Sequence, residues 1–154
     1  MLWCYRLLKS QLYIKFCNRR LRDALILLSR IRFWGSWIGT QIGKYWKNGT
    51  PFLLIDGSQD NTLGVSIAVS GSDVYLATLF QSSTSPFHET ANYWKNGNAV
   101  LLSNNAGASS IALSGNDIYV AGHNSSGAMY WKNGIPVLLS KGSGEARSIF
   151  IAIQ

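Results

Sequence analysis

The string Tyr-Trp-Lys-Asn-Gly occurs three times in this chain, at Tyr45–Gly49, Tyr93–Gly97 and Tyr130–Gly134. An internal repeat constrains a fold more than any composition does, because equivalent strings must find equivalent surroundings. Each copy is followed by an apolar stretch ending in Leu-Leu: Pro51–Leu54, Ala99–Leu102 and Pro136–Leu139. A loop rich in Gly, Ser, Asn and Asp comes next. Then Ser66–Ala77 (Ser-Ile-Ala-Val-Ser-Gly-Ser-Asp-Val-Tyr-Leu-Ala) is matched by Ser110–Ala121 (Ser-Ile-Ala-Leu-Ser-Gly-Asn-Asp-Ile-Tyr-Val-Ala), and the third copy retains Ser148–Ala152. Successive Tyr-Trp pairs stand 48 and 37 residues apart. Those spacings bracket the length of a four-stranded propeller blade, whereas ankyrin and tetratricopeptide units are helical and leucine-rich repeats are shorter.

Every unit reads as four short strands joined by tight turns. Asn-Gly between Trp-Lys and an apolar run fits a type I′ hairpin, which needs φ > 0 at both central residues. Ser-Gly-Ser-Asp and Ser-Gly-Asn-Asp, between β-branched runs, mark a second and slightly longer hairpin. The third connection varies, spanning Thr78–Asn92 in one copy and Gly122–Met129 in the next. Variable links between constant strands belong on the surface. The expected fold is therefore all-β: antiparallel four-stranded meander repeats, a partial β-propeller of fewer than three blades over residues 41–154, with units starting near Tyr45, Tyr93 and Tyr130.

These strings resemble the repeats of uncharacterised bacterial β-propeller-like proteins, surface-exposed or secreted. The resemblance covers residues 45–154 and rests on Tyr-Trp-Lys-Asn-Gly with Leu-Leu and on Ser-Ile-Ala-Val-Ser-Gly-x-Asp-Val-Tyr. It implies an extracellular or cell-surface setting and transfers no activity and no functional residue. Asp117–Gly122 also resembles a kelch strand distantly, but His123 stands where kelch has a second glycine. Closed propellers have about 4–8 blades, so the repeat count points to a fragment, or to further blades or self-association that close the ring.

The net charge of +7 suggests nucleic acid until it is divided along the chain. Residues 1–44 hold nine of the fourteen Lys and Arg with one acid, Asp23; residues 45–154 hold five against six acids. The repeats are thus faintly acidic, and no nucleic-acid partner is expected for them. Binding through the leader would be steeply salt-dependent. Both cysteines, Cys4 and Cys17, lie in the leader, so the repeats do without disulfides.

In residues 1–40, Ile14, Cys17, Leu21, Leu25, Leu28 and Ile31 recur at helical spacing, with Lys15, Arg19 and Arg22 on another face. A helical leader lying on a membrane surface is one reading. The preferred one is a gene-model artefact, the wrong-frame translation of a longer repeat gene. Arg30 and Arg32 interrupt any signal-peptide core, and no uncharged apolar run reaches the length of a membrane span.

Chemistry is scarce. The Tyr-Trp pairs offer sugar-stacking platforms at Trp46, Trp94 and Trp131, although adjacent strand residues face opposite ways and packing is the expected role. Asp56, Ser58 and Asp60 imitate a calcium loop, but Ile67 fills the twelfth position, so ordinary turns are expected. Asp73 and Asp117 fit turn positions where Asp bonds its own backbone, and Lys47, Lys95 and Lys132 are expected in solvent. His88-Glu89 lacks the second histidine of a zinc protease, and His123 stands in another variable link. Asn48 and Asn124 match the glycosylation pattern weakly. No catalytic residue, metal site or cofactor is therefore assigned. The expectation is a non-catalytic scaffold or binding module for a protein or carbohydrate, not an enzyme. The alternative is a fragment of a propeller-based glycan-acting enzyme, which requires two acids in one cleft, with Glu89 as the one acid that breaks the repeat.

Overall fold

Asn and Gly adopt left-handed backbone more cheaply than other residues, and the repeat turns use both. Asn96 and Gly97 have φ of 52° and 87°, and Asn133 and Gly134 have 52° and 84°. These are the paired positive angles of a type I′ turn. Gly71 and Gly115 (φ 58° and 55°) open the second hairpin, which is tighter than expected: Ser70 pairs with Asp73 and Ser114 with Asp117 across two-residue turns.

The computed structural model describes residues 13–14, 26–32, 41–47, 49–54, 61–82 and 86–152. They form twelve strands: β1 (Tyr13–Ile14), β2 (Ile26–Arg32), β3 (Gln41–Lys47), β4 (Thr50–Leu54), β5 (Asn61–Ser70), β6 (Asp73–Gln81), β7 (Glu89–Lys95), β8 (Asn98–Asn104), β9 (Ala106–Ser114), β10 (Asp117–Asn124), β11 (Gly127–Lys132) and β12 (Ile135–Leu138). Each sheet takes four consecutive strands in chain order, β1–β4, β5–β8 and β9–β12, all antiparallel. The fold is all-β and meandering, as the turns and alternation require.

Two features of this arrangement differ from the sequence expectation. The sheets group the strands half a unit out of phase with units starting at Tyr45, Tyr93 and Tyr130. Each Tyr-Trp-Lys string is the third strand of its sheet, and two complete units plus a partial one give three sheets. The second difference concerns the leader, where Leu28 and Ile31 lie in strand β2 and Ile14 in β1, not on a helix. The physical reason is pairing. The strand β3 needs a partner on its open side, and Ile26–Arg32 supplies one, from Ile26 opposite Lys47 to Arg32 opposite Gln41. Cys17, Leu21 and Leu25, on which the rest of the helical pattern falls, lie outside the described residues. Ser148–Ala152, expected to be a strand, takes no strand pairing. In β5 and β9 the partner is the strand after Ser-Gly-x-Asp.

Stacking of the sheets explains the aromatic pair. Side chains alternate across a strand, so Tyr and Trp of one string must serve two different cores. Tyr45 and Leu54 of the first sheet pack with Ile67, Val74, Leu76, Phe80 and Trp94 of the second. Tyr75, Ala77 and Ala91 of the second sheet pack with Ala106, Ala108, Ile111, Val120, Met129 and Trp131 of the third, with Tyr93 alongside. Tyr therefore faces the following sheet and Trp the preceding one. The strand β6 shows the same division, sending Val74, Leu76 and Phe80 to one core and Tyr75 and Ala77 to the other. In keeping with this, β5 lies against β2 and β3, and β9 against β5, β6 and β7.

The remaining conserved letters of the repeat form one clamp between two turns. Asn96 donates from Nδ2 to Asp73 Oδ1 (2.8 Å), accepts from Val74 N (2.9 Å) and gives its own N–H to Val74 O (2.9 Å). Lys95 Nζ lies 3.4 Å from Asp73 Oδ2 and 5.4 Å from the Tyr75 ring centroid. The third sheet repeats each contact with Asn133, Asp117, Ile118, Lys132 and Tyr119, at 2.8 Å for Asn133 to Asp117 and 2.9 Å for Lys132 to Asp117. Asp thus ties its turn to the neighbouring hairpin and not to its own backbone, and the lysines are ion-paired at half exposure. Hydrogen bonds from Asn, then from Lys, hold Asp73 and Asp117 below the ordinary carboxylate value. Hydrogen bonds to Tyr75 and Asp73, and to Asp117 and Tyr119, hold Lys95 and Lys132 above theirs.

Two outcomes follow from these contacts. Trp94 donates from Nε1 to the buried Thr78 hydroxyl at 2.9 Å, whereas Trp131 Nε1 is buried with no partner because Gly122 stands where Thr78 does. Trp94→Phe therefore destabilises more than Trp131→Phe, by about 1–2 kcal/mol, the worth of one buried bond and its stranded acceptor. Urea unfolding of the two variants measures the difference. The clamp sets an acid dependence. A carboxylate with a lowered folded-state pKa contributes stability above its ordinary value of 3.8 that is lost as pH falls through the folded-state value. The double variant Asp73→Asn, Asp117→Asn flattens the fall in melting temperature below that pH, and an unchanged acid limb contradicts the assignment.

Candidate functional site

Because the sheets are equivalent, residues that depart from the repeat can be located by position. His123 occupies the place of Leu79, Gly122 that of Thr78, and Gly107 that of Leu63. Ser109 and then Arg147 take the place of Val65, and Glu145 falls where Gly107 and Leu63 do in earlier copies. The earlier positions hold Leu63, Val65, Thr78 and Leu79, so the repeat frame does not itself call for the new residues. They come together along the seam between the second and third sheets. There Val65, Leu79, Gly107, Ala108, Ser109, His123, Glu145 and Arg147 line a groove of about 340 Å³.

Backbone positions without side chains make room for the imidazole. Gly107 and His123 are cross-strand partners in β9 and β10. A Cβ at Gly107 would stand 2.5 Å from His123 Cε1 and displace the ring. A Cβ at Gly122 would press on the Gly107 carbonyl and on the Trp131 ring, so the same close approach that seats the histidine removes the acceptor that Trp131 would have had. A register shift between Ala121 and Gly122 bends β9 at this point, the usual way a strand re-aims a side chain.

Glu89 opens β7 and Glu145 follows β12, so three segments converge on the ring. His123 Nε2 lies 3.8 Å from Glu89 Oε2, and Nδ1 lies 3.9 Å from Glu145 Oε1. Glu145 accepts from Ser109 Oγ at 3.1 Å and from Arg147 Nε at 3.2 Å. Glu89 Oε1 accepts from Gln81 Nε2 at 2.9 Å. Glu89 is partly buried at 26% side-chain exposure, Glu145 is exposed at 38%, and Arg147 is 84% exposed. Ala146 N bonds Gly122 O at 3.1 Å and fixes the segment that carries Glu145.

The Tyr-Trp candidates lie away from this groove. Trp94 and Trp131 are each 1% exposed, which leaves neither ring a face for stacking, and packing accounts for both. Trp46 keeps partial exposure, with Lys44 Nζ 4.4 Å from its ring centroid. His88 is exposed beside Pro86 O at 3.2 Å and does not join His123. Glu89 and His123, expected in variable loops, lie on strand ends, because β10 runs through to Asn124 before a two-residue turn. Asn124 accepts from Ser126 N at 2.8 Å within that turn. Asp56, Ser58, Asp60 and Asn48 lie outside the described residues. Sequence reasoning missed Glu145, Ser109, Gln81 and Gly107. The signal was within reach, since Glu145 and Arg147 precede Ser148 at positions that hold Leu63 and Val65 before Ser66.

Among the described residues, no group of three or more His, Cys, Asp or Glu is arranged to hold a metal ion. No family model, no curated protein and no solved structure matches this chain.

Proposed function

We propose that the chain is a non-catalytic repeat scaffold of propeller type that binds a carbohydrate or protein ligand at the seam beside His123. One observation carries the reading. The recurring Tyr, Trp, Asp, Lys and Asn of the second and third sheets are engaged in stacking and in turn clamps. Of the polar residues that do not recur, His123 and Glu145 line one groove, and Glu89 approaches the same imidazole from β7. Uniform residues sustain the frame, and departures from uniformity mark function. The contact of β5 with β3 and of β9 with β5 supports a radial, blade-like succession of sheets. The resemblance noted above favours a setting outside the cell, in which further blades or a second copy complete the ring.

A second reading has its own observation. Glu145 supplies the second acid that a glycan-acting enzyme requires, on the far side of the imidazole from Glu89. Paired carboxylates flanking a sugar are the usual machinery of glycoside hydrolysis.

One set of variants separates the two. His123→Leu restores the residue that the repeat itself carries at Leu79, so the fold is retained. On glycan arrays and in pull-downs this variant loses whatever the parent captures, with an unchanged melting temperature. Equal capture by parent and variant contradicts the seam assignment. If glycan turnover is detected instead, Glu145→Gln lowers its rate by about 10²–10⁴-fold, the usual loss for a general acid or base, and the enzymatic reading replaces the first.

A further inference from the structure

What the groove can hold rests on the binding-module reading above and on one position of the repeat. In β5, Gly64 pairs with Thr78 and Ser66 with Ala77, so Val65 has no partner across the ladder. In β9, Ala108 pairs with Gly122 and Ser110 with Ala121, which leaves Ser109 out in the same way. Each is a β-bulge, two residues opposite one, and a bulge re-aims the extra side chain. Both bulges immediately precede Ser-Ile, and Arg147 holds the same place before Ser148-Ile149.

The frame around this position is constant and its letter is not. Ser-Ile follows in all three copies, whereas the position itself holds Val, Ser and then Arg. All three side chains line the one groove, so successive copies each contribute a residue to a shared surface. Val65 brings apolar surface, together with Leu79 and Ala108. Ser109 and Arg147 both hold Glu145, from Oγ at 3.1 Å and from Nε at 3.2 Å. That second bond engages one of the five N–H donors of a guanidinium. Glu145 thus steadies Arg147 from the Nε side, and the exposed Nη groups are left for a ligand.

We infer that the residue before Ser-Ile is the ligand-reading position of each copy, and that Arg147 sets the ligand as a carboxylate, the uronic acid residue of a glycan. The Nη donors of a guanidinium match the two oxygens of a carboxylate in a planar fork. Glu145 already offsets the charge of Arg147, and Glu89 lies on the Nε2 side of His123. A singly charged carboxylate therefore suits the groove better than a doubly charged phosphate. Ring hydroxyls find acceptors in Glu145 and Ser109, whose oxygens keep spare lone pairs. The C–H face of the ring lies on Val65 and Leu79, in a groove of about 340 Å³ that takes one such residue. An acidic peptide side chain would use the fork and leave those acceptors idle.

Titration calorimetry of the full chain tests this with oligomers of galacturonic and glucuronic acid, their methyl esters, and a glutamate peptide. The expected result is binding of at least one uronate, weakened about tenfold or more by esterification, which removes a charge-assisted bidentate contact. Arg147→Val installs the letter of Val65 and abolishes the preference for the free acid, with an unchanged melting temperature. Arg147→Lys, which keeps the charge and loses the fork, retains part of it. Equal binding of acid and ester, no binding of either uronate, or full preference for the acid in Arg147→Val overturns the assignment. Capture of the glutamate peptide in place of the uronates overturns the sugar. If acid and ester bind alike and His123→Leu abolishes both, the binding module stands and the carboxylate falls.

Discussion

Alternation of side chains across a β-strand is the constraint from which the rest of this structure follows. Placing Tyr and Trp side by side commits a strand to two cores, because neighbours on a strand cannot share a face. Trp94 faces the first sheet while Tyr93 faces the third, and the second sheet is buried on both sides as a result. An aromatic side chain that buries roughly 200 Å² contributes about 5 kcal/mol gross at ~25 cal/mol/Å². In repeats that hold no cysteine, such burial takes the place of covalent ties. The outer strands carry less of this load: Phe52, Leu53, Val100, Leu101 and Leu138 remain substantially exposed.

Much of this architecture was legible in the chain. Asn-Gly predicted turns with two positive φ angles, and Asn96-Gly97 and Asn133-Gly134 have them. The run Asp73–Ala77 predicted a strand, and Val74 to Ala77 are all buried in it. Asp73 and Asp117 were legible as turn residues but not as links to another hairpin, since their partners Asn96 and Asn133 lie 23 and 16 residues away. The phase of the sheets was not legible either. A tandem repeat looks the same wherever its unit is cut, and only strand pairing shows that Tyr-Trp-Lys is a third strand. In the leader, Leu28 and Ile31 fit helical spacing, yet the open edge of β3 drew them into a strand. Periodicity reports a face; it does not report an unsatisfied neighbour.

The candidate site was half legible for a related reason. Glu89 and His123 stood out as departures from the repeat, but nothing local says that residues 34 positions apart will meet. Their meeting depends on sheets stacking in succession, and on Gly107 and Gly122 letting two strands approach closely enough to seat a ring between them. The polar seam is thus built on the apolar frame. The tight contact at Gly122 that admits His123 is also what leaves Trp131 Nε1 without the acceptor that Thr78 gives Trp94.

Exchange of the indole N–H protons, followed by NMR with resonances assigned from the single phenylalanine variants, tests the stacking most directly. Burial between successive sheets predicts that the Trp94 and Trp131 protons exchange only through large-scale opening, far more slowly than an exposed indole. If either proton exchanges at the rate of a free indole in water, that ring is not between sheets, and the account of the repeat fails.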